Sequence, residues 1–165
     1  MTLPEITFAN VLDYIGTLAF AISGIRLAST KNFDWFGAYV VGLATAIGGG
    51  TVRDLMLDVP VFWMRNGIYF LITLLALLLV VLFGKVVVRQ KYTWFIFDTI
   101  GLGMFAVIGI EKTLGVGFPF WVAIVMGSVT GAGGGVIRDV FLNEVPLIFR
   151  AEIYAVACVL GGLAY

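Results

Sequence analysis

Three glycines followed closely by an arginine–aspartate pair occur twice in this chain. Gly48-Gly49-Gly50-Thr51-Val52-Arg53-Asp54 returns 85 positions later as Gly133-Gly134-Gly135-Val136-Ile137-Arg138-Asp139. Each copy lies inside a long apolar run, where a glycine forfeits helix propensity at roughly 1 kcal/mol apiece and a buried charge is costly. A motif repeated at that cost asks for a two-fold explanation. The reading that follows is a pair of broken helices whose breaks meet near the middle of a bilayer and line a path for a small polar solute.

Composition places the chain in a membrane. It is 61% hydrophobic and 12% charged with a mean hydropathy of +1.08, against about 45 to 50% apolar and 25% charged in soluble domains. Zero net charge and the lack of a long basic run speak against a nucleic-acid partner. No histidine is present, so neither a Ser-His-Asp nor a Cys-His nucleophile can be built. The expectation is not an enzyme, with no cofactor and no metal beyond a permeating monovalent cation. The first apolar run is preceded by Glu5 but no Lys or Arg, which suits a retained first span better than a secretory signal.

About 20 apolar residues are needed to cross a bilayer. The pattern predicts spans at about Asn10 to Ala28, Trp35 to Leu57, Asn66 to Phe83, Phe95 to Ile110 and Phe120 to Leu142, with an incomplete sixth from Arg150. The second and fifth contain the triple glycines, and Pro60 and Pro146 follow them. Laid on one another at the 85-residue offset, the halves match at Asp13/Asp98, Gly16/Gly101, Phe20/Phe105, Gly24/Gly109, Gly42/Gly127 and Thr45/Thr130, and again at Arg65/Arg150 and Tyr69/Tyr154. Each repeat therefore holds three spans, residues 1–92 and 93–165. An odd number of crossings inverts the second repeat about an axis in the membrane plane. The fold class expected is an all-α integral membrane protein of two inverted three-helix repeats with broken second and fifth helices.

Loop charge gives an orientation. Arg26, Lys31, Lys85, Arg89, Lys91 and Arg150 fall on one side, with only Arg65 and Lys112 on the other. The positive-inside rule puts the first side in the cytoplasm and the N-terminus outside.

Breaking a helix frees carbonyls and amides that hydrocarbon cannot satisfy, so Gly48, Gly49, Gly50, Gly133, Gly134 and Gly135 are candidate pore or ion-binding positions. Thr45, Ser128 and Thr130 precede the glycines and carry hydroxyl oxygens for a dehydrated cation; bonding back to their own helix is the competing use. Arg53 and Asp54, like Arg138 and Asp139, are neighbours about 100° apart on a helix and each looks for a partner elsewhere. Similar depth in antiparallel spans predicts the pairs Asp13 with Arg53 and Asp98 with Arg138, as clasps or as a gate.

The doubled GGGxxRD strings, with Phe20-Ala21-Ile22-Ser23-Gly24 upstream and a proline after each, resemble the prokaryotic trimeric intracellular cation (TRIC) channels, a domain also labelled glycine transporter. The likeness covers essentially the whole chain. It implies a homotrimer of seven-span protomers in the lipid bilayer, each with a pore between the second and fifth helices. It also implies passage of K+ and Na+, and bound lipid in some members. This chain departs from that pattern in lacking the seventh span, as a shortened chain would. The leading function is a monovalent-cation channel; the alternative is a secondary transporter of glycine or a similar small zwitterion, for which two arginines beside the site speak.

Overall fold

The computed structural model describes residues 8–83 and 93–149. Six α-helices follow in order: α1 (Phe8–Thr30), α2 (Trp35–Met56), α3 (Phe62–Arg65), α4 (Ile68–Leu82), α5 (Thr93–Gly115) and α6 (Phe120–Phe141), with a 3-10 turn at Leu147–Phe149 after α6. Four of them, α1, α2, α5 and α6, have 22 or 23 residues and are apolar enough to cross a membrane. The sixth span expected from Arg150 lies outside the described residues.

The helices stop where local chemistry stops them. Asp34 caps α2, its carboxylate accepting from the Gly37 amide at 2.7 Å. At the far end the chain leaves α2 through Asp58 at φ 54°, and leaves α6 through Asn143 at φ 55°, the left-handed geometry that short polar side chains tolerate. The two helices thus end alike, at positions one repeat apart.

Helix α4 is 15 residues long, about 22 Å at 1.5 Å per residue, which is short of a ~30 Å hydrocarbon core. Its inner stripe, Tyr69, Thr73, Ala76 and Val80, is buried against α1 and α2, while Leu71, Leu74, Leu75, Leu78 and Leu82 face outward. Period and outward composition are those of a helix with one protein face and one lipid face.

The two halves pack by reciprocal contacts. Gly16 lies under the Phe105 ring and Gly101 under the Phe20 ring, and the two rings meet at 5.2 Å. A residue lower on α1 meets one higher on α5, as antiparallel helices related by a two-fold axis across them require. Gly24 and Gly109 hold the same relation within their own hairpins: a Cβ on either would stand 2.9 Å from the Gly42 Cα or 2.8 Å from the Gly127 Cα. The protein is therefore two inverted helical repeats.

One expectation is overturned here. Helices α2 and α6 are continuous α-helix through Gly48 to Gly50 and Gly133 to Gly135. The glycines serve the crossing of α2 over α6: a Cβ on Gly49 would overlap the Thr130 carbonyl oxygen, and one on Gly134 the Thr45 carbonyl oxygen. Without side chains there, two backbones touch and the i to i−4 ladder survives, so close approach rather than a break explains the motif.

Candidate functional site

Two charged clusters stand at opposite ends of the helices, one beyond each triple glycine. At the first, the Arg53 guanidinium turns onto its own neighbour, with Nε donating to Asp54 Oδ1 at 2.8 Å. The Lys112 ammonium, from the end of α5, donates to both Asp54 oxygens at 2.8 and 2.9 Å. The Phe62 amide, the first of α3, donates to Asp54 Oδ2 at 3.0 Å. One carboxylate thus binds an arginine, a lysine of the other repeat and the start of the next helix, which is how a fully buried charge is kept solvated without water. Trp63 adds a second pin between α3 and α2, its indole N–H donating to the Thr51 hydroxyl at 3.0 Å.

At the opposite end Arg138 repeats the arrangement, Nε donating to Asp139 Oδ1 at 2.8 Å, while the Leu147 amide donates to Asp139 Oδ2 at 3.0 Å. Phe62 and Leu147 are themselves one repeat apart. Here the guanidinium also pairs with Asp98, both side chains fully buried, and donates to the Ser23 hydroxyl at 2.8 Å. Ser23 in turn donates to the Trp94 carbonyl at 3.0 Å, and Arg138 lies over the Trp94 ring at 5.4 Å.

The predicted pair Asp98 with Arg138 is present; the pair Asp13 with Arg53 is not. Asp13 instead accepts the hydroxyl of Tyr69 from α4. The error came from treating neighbours as unable to meet. A long guanidinium arm bends back to the residue beside it, and both arginines do so. Asp13 and Arg53 nonetheless share a depth, because both line one cavity of about 550 Å³ with Asn10, Phe62, Tyr69 and Lys112. A smaller cavity of about 220 Å³, lined by Leu27, Trp94, Asp139 and Leu147 among others, lies at the other end.

Between these cavities the candidate pore glycines are packed. Gly48, Gly49, Gly50, Gly134 and Gly135 are buried and Gly133 is half-buried. The three hydroxyls expected to offer oxygens are engaged with their own helices. Thr45 donates to the Val41 carbonyl and Thr130 to the Met126 carbonyl, each at 2.6 Å, and Ser128 to the Ile124 carbonyl at 3.0 Å. Thr45 and Thr130 are also the residues that pack on Gly24 and Gly109.

Four residues that complete these clusters, Tyr69, Lys112, Ser23 and Phe62, were not among the candidates read from the sequence. Tyr69 had a signal, its repeat match with Tyr154. Lys112 had one too, as a charge standing where the first repeat has Leu27. Ser23 stood in the Phe20-Ala21-Ile22-Ser23-Gly24 string that carries the resemblance but with no partner indicated, and Phe62 had no signal, since a phenylalanine beside an apolar run looks like packing.

The family model described as Glycine transporter matches residues 10–85 and 95–165. The chain is 42% identical over 160 residues to the UPF0126 inner membrane protein YadS of Escherichia coli (strain K12), covering 93% of this chain and 75% of that protein. It is also 42% identical over 157 residues to the UPF0126 membrane protein YvgT of Bacillus subtilis (strain 168), covering 93% and 77%. Among solved structures, the TRIC trimeric intracellular cation channel orthologue from Rhodobacter sphaeroides superposes with a TM-score of 0.88 at 37% identity, covering 93% of this chain and 80% of that one. A prokaryotic TRIC channel solved in 0.5 M KCl gives 0.87 at 33% identity, with the same coverage. The chain belongs to the prokaryotic TRIC family. Within that family frame, the two charged clusters are the same motif seen from opposite faces of the membrane, each finished by different neighbours.

Proposed function

We propose that this protein is a passive channel for monovalent cations, K+ and Na+, with one path inside each protomer between α2 and α6. The observation that carries it is the arrangement of two cavities with charged linings, one beyond each triple glycine, with the bare glycine crossing of α2 and α6 between them in sequence. The likeness to solved TRIC channels at 33 to 37% identity supports the same reading. In the described conformation α2 and α6 touch, so conduction on this reading requires them to part at Gly49 and Gly134. Parting gives up the seat of Ile137 on Gly48 and the backbone contacts at Gly49 and Gly134, and it uncovers carbonyls that replace ion hydration. Arg53 and Arg138 then act as clasps whose charge is neutralised by Asp54 and Asp139, which leaves the path passable to a cation.

The halves of the channel are residues 1–92 and 93–165. It works as a homotrimer in a prokaryotic inner membrane, N-terminus outside, with lipid at its surface and no cofactor. A second reading has its own observation. The larger cavity places Arg53 and Lys112 beside Asp13 and Glu111, a mixed lining suited to the two charges of glycine or a similar zwitterion. Purified protein in planar bilayers and in liposomes separates the two. Cation-selective unitary currents support the channel; saturable glycine uptake without unitary currents supports the transporter.

A further inference from the structure

The Phe62 ring stands between the larger cavity and the triple glycine. It lines that cavity, and its Cε1 lies 2.6 Å from where a Cβ on Gly50 would be. Tyr69 holds it edge-on at 4.6 Å and 88°, while the Arg53 guanidinium and the Lys112 ammonium sit over the ring at 5.9 and 5.8 Å. Its amide is tied to Asp54, so the aspartate of the repeated motif positions the ring as well as pairing the arginine. At the opposite end Leu147 is anchored alike by Asp139 and lines the smaller cavity. There, however, it is Asp98 and Arg138 that face Gly135. Gly50 is thus covered by an aromatic ring where its counterpart Gly135 faces a charged pair, while Gly48 is covered from α6 by Ile137.

We propose that Phe62 is an apolar plug: it keeps water and ions of the larger cavity off the α2 glycines, and the path opens when it withdraws. The ring belongs to α3, four residues long and set between Pro60 and Gly67; Asp54 and Thr51 of α2 hold the Phe62 amide and the Trp63 indole, so the ring withdraws into the cavity by side-chain rotation while its backbone stays anchored. An apolar constriction gates by excluding water, and a ring bracketed by two cations presents a barrier that a small outward movement removes. The role rests on the channel reading for its currents but not for its water exclusion.

The test is Phe62→Ala, with Phe62→Leu as the conservative variant, in purified protein reconstituted in nanodiscs and planar bilayers. Backbone hydrogen exchange over residues 48–54 is expected to quicken severalfold in Phe62→Ala and to stay near wild type in Phe62→Leu, with residues 133–139 unchanged as an internal control. Basal open probability is expected to rise severalfold in the same variant. Exchange over 48–54 that is equal in all three proteins overturns the plug. Currents absent from wild type defeat the channel reading instead, and the exchange comparison still decides the plug. If Phe62→Ala does not assemble, Phe62→Val carries the same comparison.

Discussion

Asp98 and Arg138 form an ion pair in which neither side chain is open to its surroundings, whereas their counterparts one repeat earlier, Asp13 and Arg53, line one cavity without making a direct ion pair. The inverted repeat has conserved the arginine–aspartate neighbours and changed what completes them. One end is closed by Asp98 and Ser23, the other by Lys112, 32% exposed at its side chain, and by Tyr69.

That difference predicts unequal mutants. Arg138→Met removes the guanidinium that pairs with both Asp98 and Asp139, a loss of about 3 to 5 kcal/mol by the usual cost of removing one partner of a buried pair. Arg53→Met leaves Asp54 still bound by Lys112, so its loss is expected to be clearly smaller. On a Lys112→Leu background Arg53→Met becomes costly in its turn. Thermal unfolding in detergent, followed by tryptophan fluorescence, checks the order; equal losses for the two arginines contradict it.

The glycines predict a position-by-position pattern. Gly49→Ala and Gly134→Ala push a methyl into a carbonyl oxygen of the facing helix, with an overpacking cost of about 1 to 3 kcal/mol. A Cβ on Gly103 of α5 meets nothing within 4 Å, so Gly103→Ala is expected to be neutral or to gain about 0.5 to 1 kcal/mol from helix propensity. Melting of the three variants side by side decides whether the triple glycines are a contact surface.

A double-mutant cycle tests the corrected partner of Asp13. Asp13→Asn combined with Tyr69→Phe is expected to show a coupling of about 0.5 to 3 kcal/mol. Asp13→Asn combined with Arg53→Met is expected to be nearer additive. The reverse order restores the sequence-derived pair.

Much of this was legible because it was written twice. Asp13/Asp98 and the GGGxxRD strings carry polar residues in step through apolar runs, and counting three spans per repeat then forces inversion. Span limits were close: α2 and α6 begin at Trp35 and Phe120, where interfacial aromatics and a cap or proline mark them. What failed was local. Consecutive glycines read as a break because propensity disfavours them, but the lost propensity is recovered by contact between helices far apart in sequence. Arg53 was assigned a distant partner because helical geometry separates neighbouring Cβ atoms, and side-chain reach was left out. The exchange of partners across repeats, Lys112 to Asp54 and Ser23 to Arg138, is tertiary and breaks the repeat's own symmetry: laying one half on the other sets Lys112 against Leu27 and Ser23 against Ile108 but does not say what either binds.

The central claim is that the two charged cavities and the glycine crossing of α2 and α6 form the route by which cations cross. Single-channel recording in planar bilayers under a KCl gradient measures it most directly. The account predicts discrete unitary currents whose reversal potential lies on the K+ side, diminished when Gly49 or Gly134 is replaced in protein that still assembles. Well-folded wild-type protein that passes no unitary current, or passes chloride in preference, contradicts it.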